Sequence, residues 1–168
     1  MTPLKVGDAA PDFDVSALIG GIKKKFRLSQ CKGKKQVVLA FHPVNWTPVC
    51  ARQMAEYNAA LAKFADYDAQ VVGISVDSIY STSAWEKEIG PFDYTLASDY
   101  WPHGEVAQKF GVFRDQEPFS GVSERAIFVV DKNGRIAFSK VYPIDQLPDT
   151  EEIFATLQAL KQGSRDNT

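Results

Sequence analysis

A cysteine in the first turn of a predicted helix is the clearest chemical feature of this 168-residue sequence. Thr47 is a good N-cap residue and Pro48 suits the first helical position, so Cys50 comes third in the helix. At that position a thiolate can accept hydrogen bonds from free backbone amides, and it lies at the positive end of the helix dipole. Both effects favour the charged sulfur, so the sequence predicts an activated cysteine nucleophile.

A buried strand and an amphipathic helix hold this cysteine between them. The apolar residues from Val37 to Phe41 predict a strand that ends shortly before the cysteine. Beyond it, apolar side chains recur at helical spacing on one stripe: Cys50, Met54, Tyr57, Leu61 and Phe64. A simpler interpretation is also open, in which Thr47 and Pro48 only cap a helix and Cys50 is a small buried apolar side chain.

Strands and helices alternate along the rest of the chain. Gly20-Gly21 and Asn133-Gly134 lie between β-rich runs and predict hairpin turns. Further strands are predicted at 70–76, 94–97, 125–130 and 135–141, and helices at 78–89, 105–110 and 149–161. This order predicts a mixed sheet covered by helices on both faces. We expect a single domain over residues 1–168, with an ordered core of about 4–161 and a frayed polar tail at 163–168.

The composition disfavours several classes of function. Lys and Arg number 19 against 21 Asp and Glu, and the net charge of −2 does not indicate a polyanion partner. The basic clusters at 23–25 and 32–35 lack interleaved aromatic residues, which indicates solvated turns and strand edges rather than a nucleic-acid surface. No apolar run approaches the ~18 residues of a membrane span, and no apolar signal core opens the chain. We therefore expect no membrane association and a cytoplasmic location.

The two cysteines do not belong to a cofactor or metal motif. Cys31 and Cys50 are too far apart for a Cys-x-x-Cys pair, which disfavours a disulfide oxidoreductase. Together with His42 and His103 they lack the paired ligand spacing of a zinc site. A glycine-rich phosphate loop is also missing, so we expect no cofactor and no metal.

The residues around Cys50 resemble a known family. The string Pro43-x-x-x-Thr47-x-x-Cys50 resembles the peroxidatic motif of the peroxiredoxins, and with His42 it is most similar to the one-cysteine branch. Blocks at 75–85, 98–112 and 123–134 resemble the family in order and spacing, so the resemblance covers about 6–161. It implies an α/β, thioredoxin-like fold, with a mixed central sheet flanked by helices on both faces and an N-terminal hairpin.

The resemblance assigns four residues to the chemistry. Cys50 is the nucleophile, and its thiolate attacks one peroxide oxygen, breaks the O–O bond and becomes a sulfenic acid. Thr47 supplies a hydroxyl that can bond both peroxide and sulfur, and Arg125 supplies a second donor and a cation. Pro43 shields the thiolate from solvent. From the residues alone, Arg125 is an arginine in an otherwise apolar strand, and an edge arginine in solvent is the alternative.

Three more residues are expected around that set. His42 can contact the sulfur in the one-cysteine branch, but a histidine on a strand is equally compatible with a half-buried packing role. Gln53 lies one turn from the cap and either orders the active-site loop or faces solvent. Trp85 is expected to pack or to lie in an interface rather than to react.

The implied function is a thiol-dependent peroxidase that reduces hydrogen peroxide and organic hydroperoxides in antioxidant defence. Its partners would be the peroxide, a second copy in a homodimer, and an external thiol reductant. That reductant would be thioredoxin, a glutaredoxin-like protein or a small thiol, and its identity, the preferred peroxide and the oligomeric state stay open. The alternative function is a non-catalytic thioredoxin-fold redox sensor or holdase-type binding module.

The second cysteine is not expected to react with the first. Cys31 is expected in a mobile basic turn before the strand at 36–41, whereas Cys50 follows the far end of that strand. Six residues rising ~3.3 Å each separate the two ends by about 20 Å, and a disulfide needs Cα atoms within about 7 Å. A bond within one chain is therefore not expected, and a bond between subunits is the alternative left open.

Overall fold

A seven-stranded mixed sheet forms the centre of the computed structural model, which describes residues 1–166. The strands are β1 Asp14–Ile19, β2 Ile22–Arg27, β3 Gln36–Phe41, β4 Ala69–Ser75, β5 Thr95–Ser98, β6 Arg125–Val130 and β7 Ile136–Tyr142. The helices are α1 Pro48–Ala59, α2 Leu61–Ala65, α3 Ile79–Ile89, α4 Glu105–Lys109 and α5 Thr150–Asp166. The predicted strands begin and end within one residue of these bounds.

The strand order across the sheet is β2-β1-β5-β4-β3-β6-β7. The three central strands β3, β4 and β5 run parallel, and every other neighbouring pair is antiparallel. The predicted N-terminal hairpin is present, since β1 pairs antiparallel with β2. Gly20 and Gly21 take the positive φ values of 59° and 76° that its tight turn requires. At one edge of the sheet, β2 carries the basic sequence Ile-Lys-Lys-Lys-Phe-Arg.

The alternation of side chains along β3 divides the core into two faces. Val37, Leu39 and Phe41 pack on one face together with α4 and Cys31, and we call this the Cys31 face. Val38 and Ala40 point the other way, and that face is covered by α1, α2, α3 and α5, together with Cys50. The prediction of helices on both faces of the sheet is therefore confirmed.

The Cys31 face contains a cluster of phenylalanine rings. Neighbouring ring centroids lie 5.1–6.1 Å apart, mostly in tilted or edge-to-face arrangements, and the members are Phe13, Phe26, Phe41, Phe110 and Phe128. Cys31 itself does not lie in a mobile turn. It closes a short 3-10 helix, Leu28–Cys31, and is only 9% exposed, because Leu28 and Cys31 both turn inward onto this face.

Two helix ends differ from the sequence prediction. The stripe from Cys50 to Phe64 does not form one continuous helix: Ala60 leaves the helical conformation with φ −102° and ψ 8°, and its N–H is shared between the carbonyls of Glu56 and Tyr57 in a tightened last turn of α1. At the C-terminus, α5 continues to Asp166, so most of the tail expected to fray is helical. Residues 167 and 168 of that tail lie outside the described part of the chain. The extent of the domain, 1–168 with a core of about 4–161, stays a prediction.

None of the helices within residues 1–166 combines the length and the apolar character that crossing a bilayer requires.

Candidate active site

Cys50 lies where the sequence places it. The chain leaves β3 at Phe41, passes through a short active-site loop at residues 42–47, and enters α1 at Pro48. Thr47 is the N-cap in extended conformation, with φ −109° and ψ 147°, so Cys50 is the third residue of the helix. The Cys50 side chain is fully buried.

The Thr47 hydroxyl does not form the capping hydrogen bond that its position suggests. It donates instead to the carbonyl of Val44 at 3.2 Å and stays within the active-site loop. The backbone amides in the first turn of a helix have no intrahelical partners, so those of α1 remain available to an incoming group. Thr47 is half-buried and lies three residues before Cys50, at the cap of the same first turn.

The Cys50 sulfur takes its hydrogen bond from Arg125, not from a backbone amide. Nη2 of Arg125 donates to Sγ of Cys50 at 3.3 Å, and the arginine is only 1% exposed. The edge-arginine alternative is therefore wrong. Strand register explains the meeting of residues 75 apart: β6 pairs with β3, and Phe41 lies opposite Ala126, which sets Arg125 level with the start of the active-site loop.

The other two nitrogens of the guanidinium also donate hydrogen bonds. Nε of Arg125 donates to the carbonyl of Ile144 at 2.9 Å, and Nη1 donates to Oε1 of Gln53 at 2.6 Å. Gln53 is 1% exposed, so it does not face solvent but holds the arginine that contacts the sulfur. Behind it, Nε2 of Gln53 donates to the hydroxyl of Tyr57 at 2.9 Å.

His42 is buried beside Trp85 and does not form the contact with sulfur that the resemblance implied. The two rings stack with centroids 5.7 Å apart, and Nε2 of His42 lies 2.7 Å from Oδ1 of Asn45. Burial lowers the pKa of His42, although the hydrogen bond to Asn45 opposes this effect. A buried neutral imidazole in this position packs against α3 and ties the active-site loop to it, and Trp85 serves as its packing surface.

Asn45 anchors the loop on which Pro43 lies. Its backbone N–H donates to Asp77 at 2.9 Å, and its side-chain amide donates to Thr82 at 3.0 Å. Pro43 is buried in the active-site loop between β3 and α1, and its role as a shield over the sulfur stays a prediction. Trp46, near the end of the same loop, has φ 70°, an uncommon left-handed conformation for a residue with a large side chain. This conformation lets the chain turn into α1.

Sequence reasoning missed Asn45 and Tyr57. Tyr57 belongs to the apolar stripe of α1, which predicts burial but not a polar partner for its hydroxyl. Asn45 was hidden inside the variable positions of the motif, although a polar side chain directly after a buried strand is a usable signal of a loop anchor. The part of the chain described here contains no group of three or more Cys, His, Asp or Glu side chains placed to hold a metal ion.

A buried cysteine under an arginine donor, in the first turn of a helix that follows a central strand, is a candidate thiol-based redox site. Its scaffold is a mixed sheet with helices on both faces, the arrangement of the thioredoxin-like fold. The site combines a sulfur nucleophile, a fixed cation and a nearby hydroxyl, and this set can act on an electrophile that gains negative charge as it reacts.

Comparison with known proteins agrees with this description. The profile of the AhpC/TSA family matches residues 6–139. The chain therefore belongs to the AhpC/TSA family, that is, to the peroxiredoxins, as the motif at Cys50 predicted.

Curated relatives and solved structures give the same result. The chain is 32% identical over 162 residues to 2-Cys peroxiredoxin BAS1 of Spinacia oleracea, covering 93% of this chain but only 59% of that protein's length. It is 35% identical over 138 residues to alkyl hydroperoxide reductase E of Mycobacterium tuberculosis, covering 82% of this chain and 86% of the relative.

Two solved structures share the fold. The reduced 2-Cys peroxiredoxin of Plasmodium vivax superposes with a TM-score of 0.89 at 30% identity, covering 97% of this chain and 85% of the other. Mycobacterium tuberculosis AhpC gives a TM-score of 0.84 at 27% identity, covering 95% and 94%. The predicted thioredoxin-like fold is thereby confirmed.

Proposed function

We propose that this protein is a thiol-dependent peroxidase that reduces hydrogen peroxide and organic hydroperoxides, with Cys50 as its nucleophile. The observation that carries the proposal is the 3.3 Å contact between Nη2 of Arg125, on β6, and Sγ of Cys50, in the first turn of α1, since both side chains are buried. A buried guanidinium attracts negative charge, so the contact favours a thiolate and orients it. Family membership and the names of the relatives support the same reaction class.

The reaction follows from the charge movement that the site can stabilise. The Cys50 thiolate attacks one peroxide oxygen in line with the O–O bond, which breaks, and the second oxygen leaves with the bonding electron pair. That oxygen takes a proton and departs as water or an alcohol, while Cys50 becomes a sulfenic acid. Arg125 and the Thr47 hydroxyl act as donors to the oxygens, and Pro43 limits access of bulk water.

An external thiol then restores Cys50. The first thiol condenses with the sulfenic acid to give a mixed disulfide and water, and a second thiol releases the reduced Cys50 and leaves as a disulfide. We assign this role to an external reductant because Cys50 and Cys31 lie on opposite faces of the sheet. The burial of Cys31 also counts against a bond between subunits. The names of several relatives describe two-cysteine proteins, so the one-cysteine cycle is a proposal for this chain.

Peptide mapping after one equivalent of peroxide tests the one-cysteine cycle. Sulfenate trapping is expected at Cys50 alone, with no Cys31–Cys50 peptide and only monomer on a non-reducing gel. A disulfide-linked pair of these two peptides, within a chain or between chains, would refute it.

The peroxidase itself is tested by the rate of peroxide consumption in competition with a peroxide-reactive probe. We expect a rate far above that of a free thiolate, lost in Cys50→Ser. A rate equal to that of a free thiolate would favour the non-catalytic redox-sensor or holdase alternative. A homodimer, as is usual in the family, and a cytoplasmic location are further parts of the proposal, although some relatives are named as chloroplastic.

A further inference from the structure

The cation in the active site has no carboxylate partner. Arg125 is 1% exposed, and within residues 1–166 no Asp or Glu oxygen lies within the 4.0 Å ion-pair distance of its guanidinium. Its contacts are the carbonyl of Ile144, the amide oxygen of Gln53 and the Cys50 sulfur. The sulfur is therefore the one contact of this buried cation that can become an anion.

The neutral partner Gln53 must present one end of its amide to the arginine. A guanidinium has donors only, so it accepts nothing and requires Oε1 on its side. The two N–H donors of the same amide then point away, and one of them reaches the Tyr57 hydroxyl at 2.9 Å. Because Gln53 is buried, a missing acceptor there would leave its N–H groups unpaired, and the amide would rotate to find another partner.

We propose that Tyr57 is a positioning residue, whose hydroxyl fixes the Gln53 amide and thereby aims the Arg125 guanidinium at the Cys50 sulfur. The chain Tyr57–Gln53–Arg125–Cys50 contains three consecutive hydrogen bonds of 2.9, 2.6 and 3.3 Å between residues that are each at most 1% exposed. The inference rests on the proposed role of Cys50 as the nucleophile and adds the group that orients its cation.

The other ionisable groups near this series of hydrogen bonds do not compete with the Cys50 sulfur for the Arg125 guanidinium. Burial raises the pKa of Tyr57 itself and of Tyr94, so both stay neutral at ordinary pH. Tyr142, on β7 opposite Arg125, is kept neutral by burial and by the carboxylate of Glu152. His42, at the end of β3, is neutral because burial lowers its pKa.

Two nearby carboxylates do not pair with Arg125 either, because one is hydrogen-bonded to other groups and the other is exposed to solvent. Asp77 accepts hydrogen bonds from the Asn45 amide and the Ser75 hydroxyl. Glu56, on α1, is exposed to solvent. The state of Cys50 therefore depends on how well Arg125 is held, and this is what Tyr57 controls.

Tyr57→Phe removes the acceptor and keeps the ring. We expect the ultraviolet titration of the Cys50 thiolate to move to higher pH by about one unit, which is a tenfold loss of thiolate below its midpoint. The signal of Cys50 is isolated by subtracting the titration of the matching Cys50→Ser protein. The rate of peroxide attack below the midpoint should fall by about the same tenfold.

Tyr94→Phe is the matched control. Tyr94 is also a buried tyrosine with a hydrogen-bonded hydroxyl, but its hydroxyl donates to the carbonyl of Met54 at 2.7 Å rather than to Gln53. Both variants lose one buried hydroxyl, so general destabilisation affects both. Only Tyr57→Phe should move the thiolate titration.

A double-mutant cycle tests the route through Gln53. In a Gln53→Ala background the link is already broken, so Tyr57→Phe should produce no further shift. An equal shift in both backgrounds, an unmoved titration in Tyr57→Phe, or the same shift in Tyr94→Phe would each overturn the proposal. If the parent consumed no peroxide while Tyr57→Phe still shifted the thiolate titration, the proposed function would be overturned and the positioning role of Tyr57 would stand. The titration separates the two because it does not depend on turnover.

Discussion

Cys31 and Cys50 are both buried on the same sheet, yet their sulfur atoms meet different partners. The Cys50 sulfur accepts a hydrogen bond from the Arg125 guanidinium at 3.3 Å. Cys31 instead lies in the phenylalanine cluster and donates a weak hydrogen bond to Gln70 at 3.8 Å. Burial raises the pKa of the Cys31 thiol, and Lys34 and Lys35 offset only part of this effect. Burial without a cation is expected to keep Cys31 inert, whereas a buried cation lies beside the sulfur of the proposed nucleophile Cys50.

The largest expected effect is the loss of peroxide turnover in Cys50→Ser compared with Cys31→Ser. Serine keeps the size of each side chain, but its hydroxyl is not ionised near neutral pH and does not attack peroxide. We expect no measurable catalysis in Cys50→Ser and an unchanged rate in Cys31→Ser with a small-thiol reductant, measured by peroxide consumption. Fast turnover in Cys50→Ser would show that Cys50 is not the nucleophile, and the contrast between a reactive Cys50 and an inert Cys31 would fail.

The next effect concerns the donors on the Cys50 face. Arg125→Gln removes the cation, and Thr47→Val removes the hydroxyl while keeping the shape. Each should slow peroxide attack by roughly 10²–10³-fold, the scale for losing one preorganised donor. Stopped-flow measurement of the single-turnover rate is the readout.

Arg135→Gln is the control for Arg125→Gln, because it makes the same substitution at an exposed arginine away from Cys50. Its rate should equal that of the parent. If Arg125→Gln also kept the parent rate, another cation would have to act on the sulfur, and the exposed Arg52 is the nearest in sequence.

The two faces should also respond oppositely to pH. Asp99 accepts hydrogen bonds from the first turn of α4 on the Cys31 face, at 2.9 Å from Val106 and Ala107. Burial raises its pKa to about 6 from an ordinary 3.8, although those two bonds oppose the rise. The folded state therefore binds the Asp99 proton more tightly than the unfolded state does. The protonated carboxyl stabilises the fold fully below pH 4, and this contribution is lost as the pH rises through 6. The loss should be about 1–3 kcal/mol.

Urea unfolding between pH 4 and pH 7.5 measures this term by comparison of the parent with Asp99→Asn. The unfolding free energy of the parent should fall as the pH rises through 6, and that of Asp99→Asn should not show this fall. His42, on the Cys50 face, has a lowered pKa, so its effect has the opposite sign, with stability lost as the pH falls below 6.5. A parent and variant with parallel pH profiles would show that Asp99 ionises normally in the folded state.

The smallest effect is expected for Cys31→Ala. Removing a buried sulfur from the phenylalanine cluster should cost about 1 kcal/mol, the scale of one buried methyl-sized group, and should leave turnover unchanged. Chemical unfolding and peroxide consumption are measured on the same preparation. A loss of turnover at unchanged stability would give Cys31 a chemical role and end the contrast between the two faces.

Sequence alone predicted the local part of the site because that part depends on neighbours along the chain. The strand at 36–41, the Thr47 cap and the third-residue position of Cys50 follow from propensities and capping preferences. Arg125 came from the family resemblance, because only strand pairing between β3 and β6 brings it to the sulfur.

The polar interior could not be predicted in the same way. Tyr57 fits the apolar stripe of α1 whether or not its hydroxyl has a partner, and Gln53 is compatible with a solvent-facing position. Both turn inward, and the arginine that Gln53 contacts there comes from a distant strand. The burial of Cys31 was missed for a similar reason, since the lysines that follow it predict an exposed turn, but the 3-10 helix that ends at Cys31 directs the thiol inward.

The basic edge strand β2 also has a consequence for behaviour in concentrated solution. Four of its six residues, at 23–25 and 27, are lysine or arginine. An unpaired edge invites hydrogen bonding to a strand of another molecule, which is how sheets extend into fibrils. Two such edges brought side by side would repel one another through these side chains, so β2 acts as a gatekeeper against sheet-to-sheet aggregation, and its protection weakens as salt screens the charge.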